Sequence, residues 1–199
     1  MLKLERLKQI SNEILILKES PLYLERIENN YIPVIGEGNC DTQVVFIGEA
    51  PGKKEAQTGK PFCGASGKVL DQLLEHIKMK REDVYITNIV KDRPTSNRDP
   101  EPNEIDIYAP FLIRQIEIIQ PKVIATLGRF STSFIMKHFG LQEDLEKISI
   151  IHGKVFSIDT SWGKLSIIPL YHPAVAVYNR TRLDELKKDF EMLKKLIRN

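Results

Sequence analysis

Two carboxylates, an aromatic ring, a carboxamide and an imidazole stand in this chain where open α/β sheets do their chemistry. Glu49 lies in Gly48-Glu-Ala-Pro-Gly52, directly after the apolar run Val44-Val-Phe-Ile47, and Glu55 follows shortly after. A buried strand that empties into Gly-x-x-Pro-Gly ends in a tight turn. Its backbone is then aimed at the carboxyl edge of the sheet, where such folds bind ligands. Phe62 closes Thr58-Gly-Lys-Pro-Phe62 and reads as an exposed aromatic. The small-residue run Gly64-Ala-Ser-Gly67 then opens a helix whose N–H groups favour an anion. Asn88 ends a second apolar run, Val84-Tyr-Ile-Thr-Asn88, and His172 follows a third, Leu165–Leu170. Each has an ordinary alternative: Asn88 as a turn residue, His172 as a loop histidine, Phe62 as core. Their joint position at predicted strand ends favours a site.

The elements that must position them alternate. A first amphipathic helix, Leu4 to Lys18, repeats Leu4, Leu7, Ile10, Ile14 and Leu17 at helical spacing. Pro33 to Gly38 leads into the strand Val44–Ile47, and the helix Gly67–Lys78 turns Val69, Leu70, Leu73, Leu74 and Ile77 inward. After the strand Val84–Asn88 comes a Pro-rich loop, Lys91 to Pro102. The helix Asn103–Ile119 follows, with Pro102 before it and Glu104 in its first turn. The strand Val123–Leu127 and Gly128 open a helix ending near His138. Two β-runs, Lys154–Ile158 and Leu165–Leu170, flank a turn around Ser161-Trp-Gly163, and the helix Leu183–Ile197 closes the chain. Alternating strands and helices with short connections predict a mostly parallel sheet covered by helices on both faces.

Composition narrows the class. The 199 residues, 42% of them apolar, suit one domain spanning 1–199 with a proper core. No run approaches the length of a membrane span, and the charged start Met1-Leu-Lys-Leu-Glu-Arg reads as helix rather than signal sequence, so a cytoplasmic protein is expected. The net charge of +2 argues neither for nor against nucleic acid, although Lys53, Lys54, Lys60 and Lys68 surround the first motif. Cys40 and Cys63 are too few for a metal site, and Cys63 reads as a small packing residue.

Taken together, these blocks resemble the family 4 uracil-DNA glycosylases. The first motif of that family is matched by Gly48-Glu-Ala-Pro-Gly52, Glu55, Thr58-Gly-Lys-Pro-Phe62, Gly64 and Gly67. The second is matched by Thr87-Asn-Ile-Val-Lys91 with Arg93-Pro94 and Asn97-Arg98. The third is matched by Gln115-Ile-Glu117, Pro121-Lys-Val-Ile124 and Leu127-Gly128, and the last by His172-Pro-Ala174 with Tyr178-Asn179. The resemblance runs from about residue 13 to the final helix. It implies a three-layer α/β/α sandwich around a mostly parallel central sheet, and a monomer that removes uracil from DNA.

The residue types suit that chemistry. The deoxyuridine must be turned out of the duplex before its glycosidic bond is accessible. By the resemblance the base stacks on Phe62, beside Ala50 and Asn97, while Asn88 accepts from N3–H and donates to O4. Cytosine offers the reverse pattern, and unpaired buried groups cost about 1–3 kcal/mol apiece. His172 would donate toward O2 of the departing uracil anion. A carboxylate would face the sugar cation and hold the attacking water, with Glu49 and Glu55 both candidates; the residue after Glu55 is Ala56 where the family often has an acid. Backbone groups of Gly64, Ser66 and Gly67 would hold phosphate, Lys154 and Arg180 would add charge, and Val175–Val177 or Tyr178 would wedge into the stack.

One departure bears on the cofactor. The family usually holds a four-iron four-sulfur cluster on four cysteines, and those places here read Leu17, Ser20, Asp92 and Tyr108. No cofactor is therefore expected. A compact cluster of these four side chains in place of the metal centre is predicted. Two rival readings remain open at this stage: a glycosylase for another deaminated base such as hypoxanthine, and a DNA-binding relative that has lost its chemistry.

Overall fold

The computed structural model describes residues 2–179 and 181–198. Strands β1 (Glu37–Gly38), β2 (Val44–Gly48), β3 (Tyr85–Asn88), β4 (Val123–Leu127), β5 (Phe156–Thr160) and β6 (Gly163–Leu170) form one sheet in the order β1-β3-β2-β4-β6-β5. The four central strands are parallel, whereas the edge strands β1 and β5 run antiparallel to β3 and β6. The helices are α1 (Lys3–Leu15), α2 (Tyr23–Glu28), α3 (Lys53–Thr58), α4 (Ala65–His76), α5 (Pro102–Ile119), α6 (Arg129–His138), α7 (Ile148–Ile151), α8 (Ala174–Tyr178) and α9 (Arg182–Arg198).

Alternation along the strands builds the layers. Val45 and Ile47 of β2 join a core with Ile10 and Ile14 of α1, Leu112 and Ile116 of α5, and Ile135 of α6. Val44 and Phe46 point the other way, to Leu70, Leu73 and Leu74 of α4 and Leu186 and Phe190 of α9. The rings of Phe46 and Phe190 stack with centroids 5.8 Å apart. The result is the α/β/α sandwich that the sequence leads one to expect. Among the described residues no helix is long and apolar enough to cross a membrane.

Register delivers the site. Gly48 pairs with Asn88, Ile47 with Thr126 and Leu127 with Leu170, so residues just past β2, β3, β4 and β6 emerge along one edge. From β2 the chain moves to β3 on one side and then back to β4 on the other. That reversal is the switch point at which doubly wound sheets open a crevice.

The boundaries depart from expectation at several points. Helix α1 stops at Leu15 rather than Lys18, and α4 begins at Ala65, two residues early, because Gly64 is already its cap. β5 lies at Phe156–Thr160 instead of 154–158, set by its antiparallel pairing with β6. Helices α2, α3, α7 and α8 and strand β1 are too short for an apolar period to repeat, which is why periodicity passes over them.

Candidate active site

Glu49, Glu55, Phe62, Asn88, Asn97 and His172, contributed by three stretches of the chain, line one cavity of about 340 Å³, joined by Ala50 and Ser66. That volume lies in the ordinary range for a small-molecule pocket. Pro94, Arg98 and Ala174, which stand in the matched blocks but were given no role there, also line it. The guanidinium of Arg98 is engaged by buried Glu104, at 2.6 and 2.8 Å, so it serves to hold the loop after β3. Asn97, with φ 55°, receives a hydrogen bond from Arg93 Nε at 2.7 Å.

The floor of the cavity depends on a missing side chain. A Cβ on Gly48 would lie 2.3 Å from Asn88 Oδ1 and 2.8 Å from the Phe62 ring. Only glycine lets carboxamide and ring lie together over the strand end. Gly48 is thus a site residue; the sequence places it in the turn motif that closes a buried strand, but this steric role was not assigned to it. Phe62 is a correction: it is buried, only 6% exposed, and forms the wall of the cavity instead of projecting from it. Its φ of 47° turns the chain there, and Arg81 fastens the preceding carbonyl, Pro61 O, at 2.5 Å. Cys63, expected to pack, is exposed.

The two carboxylates have different surroundings. Glu55 Oε1 accepts from the backbone N–H groups of Cys63 at 3.1 Å and Gly64 at 2.9 Å, capping the start of α4. Glu49 is half-buried, and burial raises its pKa to about 7, helped by Asp99 and opposed by Arg129. Asp99 and Arg129 are themselves bridged at 2.5 Å, which limits what either does to Glu49.

His172 lies 5.6 Å from Phe62, centroid to centroid. Burial depresses its pKa to about 4, against the pull of Glu55, so the ring is neutral near pH 7. Its Nδ1 accepts from Ala174 N at 3.2 Å, which places the single ring proton on Nε2. Gly128, with φ 97°, gives the passing His172 side chain room: a Cβ there would come within 3.2 Å of His172 Cβ.

The proposed phosphate contacts are more scattered. The Gly64 N–H is already bonded to Glu55, and Gly67 is buried, with a would-be Cβ only 1.8 Å from Phe62 O. Lys154 is exposed and does not line the cavity, whereas Ser66 does. Arg180 lies outside the described residues. Tyr178, at the end of α8, is 89% exposed, and Val177 is 40% exposed.

The family model for the uracil DNA glycosylase superfamily matches residues 35–198. A Type-4 uracil-DNA glycosylase of Archaeoglobus fulgidus is 42% identical over 194 residues, covering 97% of this chain and 94% of its own length. Proteins of the same name from Saccharolobus solfataricus and Thermotoga maritima are 41% and 40% identical, over 98% and 96% of this chain and 88% and 96% of their own. The chain belongs to the uracil-DNA glycosylase superfamily.

In this superfamily member three of the four positions matched to cluster cysteines, Ser20, Asp92 and Tyr108, meet in a hydrogen-bonded knot. The Leu22 N–H donates to Ser20 Oγ at 3.1 Å, the Ser20 and Tyr108 hydroxyls are 2.7 Å apart, and Tyr108 Oη donates to Asp92 Oδ2 at 2.5 Å. Leu17 packs against the same apolar core that contains Tyr108. Arg26, which sequence reasoning missed, donates to Asp92 at 3.2 Å and to the last carbonyls of α1, Ile14 O at 3.0 Å and Leu15 O at 3.1 Å. Burial raises the pKa of Asp92, while Tyr108 and Arg26 pull it down. These donors do not fit an iron–sulfur cluster, which needs thiolates. Cys40 and Cys63 lie elsewhere, and among the described residues no group of His, Cys, Asp and Glu is arranged to hold a metal.

Proposed function

We propose that this protein is a uracil-DNA glycosylase that flips uracil out of DNA and hydrolyses its N-glycosidic bond. The observation that carries the reading is the joint placement of Phe62, Asn88 and the Nε2–H tautomer of His172 in one cavity. The flipped base stacks on Phe62, a contact worth about 1–3 kcal/mol but indifferent to base identity. Identity is read by Asn88, which accepts from N3–H and donates to O4. As the bond to C1′ breaks, electrons move onto uracil, and neutral His172 donates its Nε2 proton in a hydrogen bond to O2. A neutral donor suits this step, because its hydrogen bond strengthens as charge develops and the site needs no proton to be lost to solvent first.

Glu49 is the carboxylate that faces the sugar cation and takes a proton from the attacking water. A group titrating near 7 is well matched to that task. Glu55, with one oxygen engaged by two backbone N–H groups, acts by building the Phe62–Gly64 corner. Exposed Tyr178 is the wedge that enters the vacated stack. The protein works without an iron–sulfur cluster; the Ser20–Arg26–Asp92–Tyr108 knot supports that reading by cross-linking the same segments.

The test is single-uracil DNA incubated with the protein in EDTA, followed by alkaline cleavage of abasic sites. Cleavage by the wild type, lost in Asn88→Ala, is expected. Binding of the DNA without cleavage would overturn the catalytic reading.

A further inference from the structure

Lys91 is fully buried, with no exposed surface, on the α1/α5 face of the sheet behind the cavity. Its Nζ donates to Thr87 Oγ1 at 2.8 Å, to the backbone carbonyl of Asn88 at 2.6 Å and to Gln115 Oε1 at 2.7 Å. All three partners are committed as acceptors. The Thr87 hydroxyl proton goes to Ile35 O at 2.8 Å, and the Gln115 amide protons go to Ile35 O at 2.9 Å and Tyr85 Oη at 3.1 Å. Three acceptors ask for three hydrogens, which only the ammonium supplies.

Among the described residues no carboxylate pairs with this ammonium, and burial pulls its pKa downward with nothing charged to offset it. A neutral amine would turn a lone pair toward one of the three oxygens, at a cost of about 1–3 kcal/mol. A buried cation without a counter-ion is an expensive feature in a core. Its position accounts for it. The cavity in front holds Glu49 and Glu55, a neutral His172 and an Arg98 already bound to Glu104. No unpaired cation among the described lining residues meets the uracil anion as it forms. Lys91 carries such a charge, bonded to the backbone carbonyl of the lining residue Asn88.

We propose that Lys91 is a positioning residue for excision, clamping Asn88 by its carbonyl and presenting a buried positive charge behind the departing base. A fixed charge in low dielectric acts on developing charge without having to reorient at the moment of reaction. This rests on the uracil-excision reading above.

The experiment compares single-turnover excision of uracil and of 5-fluorouracil from matched DNA. Fluorine makes the departing base a weaker base, so its anion needs less help. Lys91→Met is expected to slow uracil excision roughly tenfold to hundredfold, less than the about 10²–10³ lost with a direct donor. The loss should shrink severalfold on 5-fluorouracil, with KM little changed. Gln115→Glu keeps the lysine and sets a carboxylate against its ammonium while giving up the amide donors to Ile35 O and Tyr85 Oη, so its rates are read per folded molecule beside a melt; the same leaving-group-dependent loss is expected. If Lys91→Met fails to fold, Gln115→Glu decides alone. Equal losses on both bases, or a fall confined to thermal stability, would show a structural lysine and overturn the inference. An inactive wild type would instead remove the glycosylase reading itself.

Discussion

Two polar constellations in this molecule use similar residues to opposite ends. In the knot, Ser20, Arg26, Asp92 and Tyr108 are buried and bonded to one another, and Asp92 Oδ1 is the single buried side-chain oxygen without a partner among the described residues. In the cavity, the backbone around Glu49, Asn88 and His172 is fixed while the working atoms face the opening. Ile89 N and Val90 N bond to Gly48 O and Glu49 O, and Ala174 N holds His172 Nδ1. A polar group whose hydrogen bonds are satisfied internally contributes to the fold, and one whose frame is fixed while its tip is not can act on a substrate. Glu55 and Glu49 repeat the contrast within six residues, one capping a helix and the other titrating near 7.

Breaking the cavity at its floor should have the largest effect. In Gly48→Ala the new methyl displaces both Asn88 and Phe62, so excision is expected to fall at least about 10³-fold while the sheet still folds, since misplacements near 1 Å already cost about 10². Single-turnover rates beside a circular-dichroism melt check it; a variant with normal turnover sinks the claim that Asn88 and Phe62 share that space. Breaking the knot should act on stability alone. Arg26→Met leaves Asp92 buried without its counter-ion, expected to cost about 3 kcal/mol. Denaturant midpoints should drop, and excision per folded molecule at moderate temperature should not.

These two regions also differ in how readable they were. The cavity residues were legible because each stands at the end of an apolar run, and parallel register brings such ends together: Gly48 beside Asn88, and His172 two residues beyond the pair Leu127–Leu170. Gly48 itself was not, because its meaning is the space above it, which belongs to residues fourteen and forty positions away. The division of labour between Glu49 and Glu55 was equally hidden, being set by which backbone N–H groups turn toward which oxygen. In the knot, the meeting of Ser20, Asp92 and Tyr108 was expected from the resemblance, but Arg26 was not. It lies on the short helix α2, where no periodicity marks a buried face, and arginine is seldom buried unless paired. Phe62 was misread because its neighbours Lys60 and Cys63 are exposed, whereas its own positive φ turns the ring inward.

The Glu49–Glu55 contrast can be sharpened by pH. The reacting form of Glu49 is the carboxylate, and its pKa stands near 7, so wild-type kcat/KM is expected to rise with pH through that value and level off above it. Glu49→Gln should be roughly 10²-fold slower and lose the inflection. Glu55→Gln should keep the inflection, because its effect runs through the corner at Cys63 and Gly64. An inflection that survives in Glu49→Gln and disappears in Glu55→Gln would exchange the two roles.

The smallest effect tests whether the knot is a structural element of its own. Tyr108→Phe removes one hydroxyl and leaves the ring packing, so Leu17 and the surrounding core need not move. Two groups lose a partner: the Ser20 hydroxyl, which keeps its bond from Leu22 N, and Asp92 Oδ2, which keeps Arg26. The expected cost is about 1–2 kcal/mol, below that of Arg26→Met because the buried charge stays paired. The pH dependence separates this from simple loss of packing. Burial holds the Asp92 pKa above its unfolded value, so the stability linked to its protonation is present at low pH and fades as pH rises through the folded value. The Tyr108 hydroxyl favours the carboxylate and limits that rise. Removing it should move the folded pKa further up, so Tyr108→Phe should lose more stability at pH 7 than at pH 4, with excision unchanged. A loss equal at both pH values would mean that the tyrosine only fills space.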